Sequence, residues 1–93
     1  KKKLFAIKKN NNVIGLIIYN LNNHFYSITI LEKYRDKGIG TYALLKFIEI
    51  LKRKRLPLAT LVKKNNKNSV HIHKKISKLF RSKNKLFYYF KII

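Results

Sequence analysis

Two glycines near the middle of the chain belong to the segment whose residue types are best suited to chemistry. The segment Arg35-Asp36-Lys37-Gly38-Ile39-Gly40-Thr41 follows alternating apolar residues and precedes a stretch with helical periodicity. A glycine turn that opens a helix leaves backbone N–H groups unpaired, and the helix dipole adds partial positive charge there. Glycine also lets an anion approach the backbone closely. The segment therefore predicts a diphosphate site, and a turn whose glycines serve geometry alone is the alternative.

Two common phosphate-binding patterns do not fit this segment well. The phosphate loop G-x-x-x-x-G-K-[ST] is absent from the sequence. The run from Gly38 to Ala43 matches G-x-G-x-x-[GA], but that dinucleotide fingerprint needs an acidic residue about 20 positions further on. Leu61-Val62-Lys63-Lys64 stands there instead. A nicotinamide cofactor is therefore a weak candidate.

Two histidines are candidates for proton transfer, because imidazole is the common acid–base group near neutral pH. His24 opens the third predicted strand and shares a face with Tyr26. His73 lies on the apolar stripe of the second predicted helix and is expected to face inward. A solvent-facing His24 and a core His73 are the alternatives. His71 and His73 are two residues apart with no third ligand, so no metal site is predicted.

The elements that must position these residues follow from the spacing of the apolar side chains. Residues 4–9, 13–19 and 24–31 are short apolar runs separated by asparagine-rich turns, which predicts an antiparallel meander. The second of these strands is almost continuously apolar, so we expect both of its faces to be covered.

After Gly38 the apolar period changes from two to about 3.6. A first helix is predicted up to Pro57, then a strand at 58–62, a second helix from Ser69 to Leu79 or Phe80, and a last strand at 86–92. The order is β-β-β-α-β-α-β, with a parallel crossover after the meander. The predicted fold is therefore α/β (α+β), a mixed sheet with helices packed on it, in a single domain of residues 1–93.

Charge and composition limit the class of protein. The chain has 93 residues, 23 Lys and Arg, three acidic residues, a net charge of +20 and no cysteine. Two explanations for the lysines stay open. One is compositional bias, since Lys, Asn, Ile, Tyr and Phe dominate the chain. The other is an anionic partner. The longest apolar run is far shorter than the ~20 residues of a membrane helix. We expect no membrane association and a cytoplasmic protein.

The pattern Arg35-x-x-Gly38-x-Gly40 after a predicted strand resembles the acyl-CoA signature of the GNAT family of N-acetyltransferases. Val13-Ile14-Gly15 resembles the family's preceding strand, and Asn66 resembles the Asn that opens its later helix. The resemblance covers residues 4–93 and implies a GNAT-like acyl-CoA N-acyltransferase fold with acetyl-CoA as co-substrate and no metal. The residues it assigns to the cofactor are Ile28, Thr29, Ile30, Arg35, Asp36, Lys37, Gly38, Ile39, Gly40, Thr41 and Asn66.

The chain departs from the family pattern in two places. The family's first strand and two leading helices have no counterpart, and the chain begins with Lys1 and lacks methionine. We therefore expect that a segment upstream is missing. His73 stands where the family often has a Tyr that protonates or hydrogen-bonds the leaving thiolate. An imidazolium could serve there, so His73 and His24 are the expected catalytic residues.

The leading hypothesis is an acetyl-CoA-dependent N-acetyltransferase that moves the acetyl group directly to an amine in a ternary complex. The acceptor is a small molecule, a protein N-terminus or a lysine, and the charge suggests an acidic or RNA-linked one. A homodimer is one conceivable assembly. The alternatives are a small RNA- or ribosome-associated binding protein and a non-catalytic CoA-binding interaction domain.

Overall fold

The computed structural model describes residues 1–35 and 38–93 of the chain. These residues form two three-stranded sheets, two α-helices and a 3-10 helix at Glu32–Tyr34. The strands are β1 (Lys2–Lys9), β2 (Asn12–Asn20), β3 (Tyr26–Ile30), β4 (Ala59–Lys63), β5 (Leu79–Ser82) and β6 (Phe87–Lys91). The helices are α1 (Ile39–Lys54) and α2 (Lys67–Ile76). Neither helix, in the part of the chain described, is long and apolar enough to cross a membrane.

The first sheet is the predicted antiparallel meander, in the order β1-β2-β3. Asn10 and Asn11 connect β1 and β2 with φ angles of 51° and 69°, which asparagine tolerates better than most residues. Gly15 allows the three strands to approach, since a Cβ there would lie 2.6 Å from the carbonyl oxygen of Thr29. This glycine is therefore required by packing in the sheet.

The two faces of the first sheet differ in burial. Ile17 and Tyr19 of β2 are buried on the face that packs against the helices. Leu16 and Ile18 point to the opposite face and are only half-buried. The expectation that both faces of this strand are covered is therefore met in full on one face and in part on the other.

Helix α1 supplies more buried residues to the core than any other element. Its predicted apolar stripe is buried in full, at Ala43, Leu44, Phe47, Ile48 and Leu51. The Phe47 ring meets Phe5 and Tyr19 edge-on, with centroids 5.0 and 5.8 Å apart. Leu51 packs in the same cluster as Leu58 and Ile92, which flank strands of the second sheet. One continuous core therefore lies under both sheets.

One backbone bridge joins the two sheets, and beside it the Thr60 hydroxyl donates to the Tyr26 carbonyl at 3.4 Å. Strands β3 and β4 run parallel, as the β3-α1-β4 crossover predicts, but only one bridge joins them, between Phe25 and Ala59. The Ala59 N–H donates to the carbonyl of His24, at 3.0 Å. Beyond this point each strand pairs only with its own antiparallel sheet, in the second case in the order β4-β6-β5. The predicted mixed sheet is thus divided, and a cleft opens between β3 and β4.

The predicted order of elements lacks one strand, β5, and several predicted boundaries differ from the structure, two of them for a clear reason. The third strand begins at Tyr26 because His24 has a left-handed φ of 65°, which an extended strand excludes. The second helix ends at Ile76, since Ser77 takes an extended conformation. Phe80 then pairs with Phe90 in a hairpin and stacks on it at 5.4 Å. Pairing with β6 therefore overrides the helical periodicity of residues 79–80.

Candidate active site

The cleft between β3 and β4, called the β3–β4 cleft below, contains two adjoining cavities of about 270 and 460 Å³. The smaller cavity lies between the two strands, and the larger extends to the start of α1. Residues that line both are Tyr26, Ile28, Asn66, Ser69 and His73. The cleft therefore connects a helix N-terminus to a pair of buried titratable side chains.

The start of α1 forms one end of the cleft, with Gly38, Gly40 and Thr41 in its lining. Gly38 has φ 74° and precedes the helix without a side-chain cap. The first helical bond in this turn is from the Tyr42 N–H to the Gly38 carbonyl. The N–H groups of residues 39–41 lie ahead of that bond, so they are available to an anion.

Gly40 leaves this end of the cleft open. A Cβ at Gly40 would lie 4.0 Å from the nearest atom, the Cγ1 of Ile30, so packing does not require a glycine there. A side chain would instead occupy the space next to the free N–H groups. This position therefore keeps the backbone accessible to a ligand.

Arg35 is held against the end of β3. Its Nε donates to the carbonyl of Ile30 at 2.8 Å, while the residue as a whole stays exposed. A guanidinium has further N–H donors beyond this one. Arg35 can thus fix the turn and still meet a phosphate. The expected cofactor residues Asp36 and Lys37 lie outside the described part of the chain.

Four other residues expected to hold the cofactor, Ile28, Thr29, Ile30 and Ile39, do not all lie at the cleft. Ile28 lines the cleft, whereas Thr29 is exposed on the opposite face of β3 and Ile30 is buried. Ile39 lines a different groove, between β1 and α1. Of these four, only Ile28 presents its side chain to the cleft.

Asn66 caps the second helix and lines the cleft. Its side-chain oxygen accepts the Ser69 N–H at 3.2 Å, which satisfies one of the first donors of α2. The amide NH₂ of Asn66 is not used in this cap. It is the group that Asn66 could offer to a bound molecule.

A buried tyrosine and a buried histidine meet inside the cleft. The Tyr26 hydroxyl and His73 Nε2 are 2.5 Å apart, and the two rings stack at 6.0 Å. His73 Nδ1 lies 2.7 Å from the carbonyl oxygen of Ser69. Since a carbonyl only accepts, Nδ1 carries the hydrogen in the neutral ring and Nε2 accepts the Tyr26 O–H.

Burial sets the charge state of this pair. It lowers the pKa of His73, and the bond to the Ser69 carbonyl opposes this only in part. It also raises the pKa of Tyr26 well above its ordinary value. His73 is therefore neutral at pH 7, so the imidazolium considered in the sequence analysis is not its resting form. Its inward position on α2 is as predicted.

The other two histidines are placed differently. His24 lies in the turn before β3, with its Nδ1 3.1 Å from the Tyr19 hydroxyl, and it does not line the β3–β4 cleft. The left-handed φ of His24 takes it out of the strand, so strand alternation does not set its face relative to Tyr26. His71 is exposed at the rim of the larger cavity. Across residues 1–35 and 38–93, no three metal-ligating side chains come together.

Another groove lies between β1 and α1, with a volume of about 610 Å³. Its lining is apolar apart from Tyr42 and three lysines, Lys8, Lys9 and Lys46. It reaches the first turn of α1 at Ile39, but its described lining holds no acid–base pair. The chemistry therefore points to the β3–β4 cleft.

A model of the GNAT acetyltransferase family matches residues 1–77. The chain belongs to this family. GNAT enzymes use acetyl-CoA as co-substrate, so the expected family, enzyme class and co-substrate are confirmed at the family level. No curated protein matches the chain significantly.

Solved structures of the same fold are similar to this GNAT chain at low sequence identity. A GNAT acetyltransferase from Elizabethkingia anophelis with acetyl-CoA bound has TM-score 0.70 and 17% identity, over 97% of this chain and 76% of its own. A ribosomal-protein-alanine N-acetyltransferase from Brucella melitensis has TM-score 0.69 and 16% identity, over 97% and 67%. The yncA protein of Salmonella typhimurium with its cofactor acetyl-CoA has TM-score 0.69 and 14% identity, over 97% and 62%. They confirm the expected fold class.

Tyr26 is a cleft residue to which the sequence assigns no chemical role. In the sequence it is only a neighbour of His24 on a predicted strand. A signal was present in its alternation with Ile28 and Ile30, which predicts an inward side chain on β3. Its partner is 47 residues away, so the pairing with His73 could not be read from local spacing.

Proposed function

We propose that this chain transfers the acetyl group of acetyl-CoA directly to an amine acceptor within a ternary complex. The observation that carries the proposal is the β3–β4 cleft itself. It begins at the uncapped start of α1 and ends at Tyr26 and His73. A phosphate-binding end and an acid–base end are the two features that a CoA thioester needs.

The cleft suits the parts of acetyl-CoA in order. The diphosphate would lie against the N–H groups of residues 39–41, with Arg35 beside it. The pantetheine arm is an extended chain with two amides. It would follow the edges of β3 and β4 where they diverge, since an unpaired strand edge can accept an extended amide chain. The thioester would then approach Tyr26 and His73.

The residues present support direct transfer as the simpler scheme. The chain has no cysteine that could form an acetyl-thioester intermediate. The neutral amine nitrogen attacks the thioester carbonyl, the C–N bond forms and the C–S bond breaks. The proton lost by the nitrogen is the one the sulfur gains, so the reaction needs no further reactant.

The acceptor that we favour carries negative charge. A net charge of +20 draws acidic or RNA-linked molecules to the protein. The same positive field favours the uncharged form of an amine, because nearby cations disfavour an ammonium. The acceptor proposal therefore rests on charge and not on a described pocket.

Calorimetric titration tests the cofactor, and Gly40→Val provides the matched variant. Acetyl-CoA should bind the wild-type chain, whereas NADPH and a generic RNA should bind more weakly. Val at position 40 should reduce acetyl-CoA affinity at least tenfold, because its side chain fills the space beside the free N–H groups.

Leu45→Val is the control, since it places the same β-branched residue on an exposed position of the same helix. It should leave the affinity within twofold of wild type. Circular dichroism verifies that both variants fold. Unchanged acetyl-CoA affinity in a folded Gly40→Val protein contradicts the assignment, and tighter binding of RNA than of acetyl-CoA favours the nucleic-acid alternative.

A further inference from the structure

We propose that Tyr26 is a catalytic residue, and that it and His73 form a two-position proton relay between the attacking amine and the leaving sulfur. This inference rests on the proposed acetyl transfer and assigns its proton path. Tyr26 is the group that touches the reacting atoms. His73 acts through Tyr26 and is a positioning residue.

The hydrogen bonds of His73 define the first position of the relay. Its Nδ1–H donates to the Ser69 carbonyl, so the neutral ring presents a bare Nε2 to Tyr26. The only proton of the Tyr26 hydroxyl is then directed at Nε2. The lone pairs of the Tyr26 oxygen are left to accept a hydrogen bond from the cleft.

Protonation of His73 gives the second position. An Nε2–H in the imidazolium donates to the Tyr26 oxygen, which reverses the direction of the bond between the two side chains. The Tyr26 hydroxyl proton is then released from His73 and can be donated into the cleft. Since Nδ1 keeps its bond to Ser69 in both states, the ring need not move.

The proton balance of acetyl transfer matches these two positions. As the C–N bond forms, the nitrogen gives a proton to the Tyr26 oxygen, and the hydroxyl proton passes to His73 Nε2. As the C–S bond breaks, His73 returns its proton to Tyr26 and the hydroxyl gives one to the thiolate. The relay ends as it began, and one proton has moved from nitrogen to sulfur.

The surroundings of the pair favour this exchange over a permanent charge. Tyr26 is 8% exposed and His73 is 7% exposed. Phe47 from α1 and Phe90 from β6 pack against the two rings, with centroids 6.2 Å from Tyr26 and 5.4 Å from His73. The other titratable groups that line the cavities are His71 on α2 and Lys63 on β4. An imidazolium is costly in this setting, so a proton taken up by His73 is readily returned.

Tyr26→Phe tests the catalytic role because it removes the hydroxyl and keeps the ring. The acetyl-CoA dissociation constant should stay within twofold of wild type. The rate of thiol release with an amine acceptor should fall about 100-fold or more, the range of acid–base catalysis. The assay is run with an acidic amine and with a neutral amine as the added acceptor.

Tyr19→Phe is the matched control for loss of a buried hydroxyl. Tyr19 is 1% exposed and donates to the Pro57 carbonyl at 2.6 Å, outside the cleft. Its kcat should remain within threefold of wild type. If Tyr26→Phe is as active as Tyr19→Phe, the relay is refuted while acetyl transfer stands. If the wild-type chain does not bind acetyl-CoA, the proposed function is refuted and the relay with it.

A second test of the relay measures the protonation of the His73 ring by ¹⁵N NMR and needs neither cofactor nor acceptor. In ¹⁵N spectra near pH 7.5, His73 should show a protonated Nδ1 and an unprotonated Nε2, and the Nε2 resonance should shift in Tyr26→Phe. A protonated Nε2 at this pH overturns the relay. The conservative variant His73→Gln can accept the Tyr26 hydrogen bond but cannot take the proton. It should therefore bind acetyl-CoA normally and lose turnover.

Discussion

At the scale of single residues, the site depends on the neutral state of the His73 ring, which burial favours. The ring is neutral because the core around it lowers its pKa, and the Ser69 carbonyl fixes which nitrogen carries the hydrogen. The same surroundings affect stability. An unfolded histidine has a pKa of about 6.5, so the unfolded chain binds a proton at a pH where folded His73 does not.

The free energy of unfolding should therefore decrease as the pH falls below about 6.5. Above that pH His73 is neutral in both the folded and the unfolded state, and its full contribution to the free energy of unfolding is present. Below the lowered pKa of folded His73 the ring is protonated in both states, so the free energy of unfolding falls no further through this residue. Urea denaturation at pH 7.5 and 5.0 measures the change. The decrease should be smaller in His73→Gln, which does not titrate, although that variant is itself about 1–3 kcal/mol less stable from lost hydrogen bonds. Equal decreases in the two proteins would assign the pH dependence to other groups.

At the scale of elements, two glycines of the same chain serve opposite purposes. Gly15 is enclosed by neighbouring strands, where a Cβ would meet the Thr29 carbonyl at 2.6 Å and the Ile30 side chain at 2.9 Å. Gly40 is in the first turn of α1 and faces open space. The first glycine is required by the fold, and the second is available for ligand binding.

Replacing each glycine by alanine should separate these purposes. Gly15→Ala should destabilise the chain by about 1–3 kcal/mol, because β2 and β3 must move apart. Gly40→Ala should leave stability unchanged or raise it by up to about 1 kcal/mol, because alanine favours the helix. Urea unfolding of the two variants beside wild type gives the comparison. A loss at Gly40 as large as at Gly15 would mean that both glycines are structural.

At the scale of the whole molecule, the dominant property is uncompensated positive charge. Among the described residues, Glu49 is the only acid in an ion pair, 3.9 Å from Lys46 and 4.0 Å from Arg53. Both pairs are exposed and contribute little. The chain carries its net charge of +20 within a radius of gyration of 13.2 Å. Repulsion among these cations must therefore oppose folding.

Screening by salt should relieve this repulsion. The melting temperature should rise by several degrees between 10 and 300 mM NaCl, since the Debye length falls from about 30 Å to less than 8 Å over this range. A variant with Lys2 and Lys3 of the exposed strand β1 replaced by Glu should show a weaker salt dependence. Differential scanning fluorimetry measures both slopes. A melting temperature that is flat or falls with salt would show that the charge does not limit stability.

The sequence by itself determined the elements whose stabilising contacts are local. The meander, the buried stripe of α1 and the glycine turn at its start follow from spacing and residue type, because these features repeat or cap within a few residues. The family and its co-substrate came from the same glycine turn. The position of His73 on the inner face of α2 was also predicted, since helical periodicity fixes which side of a helix a residue occupies.

Only the tertiary structure decided how these elements form a site. The cleft exists because β3 and β4 touch at Phe25 and Ala59 and then diverge, which no local pattern encodes. Residues 79–80 form a strand and not a helix, because their backbone pairs with β6 and the Phe80 ring stacks on Phe90. Tyr26 and His73 meet across 47 residues of sequence. Their contact depends on long-range packing, and so does the neutral state that burial imposes on His73. Periodicity predicts only which face of its own helix or strand each residue occupies.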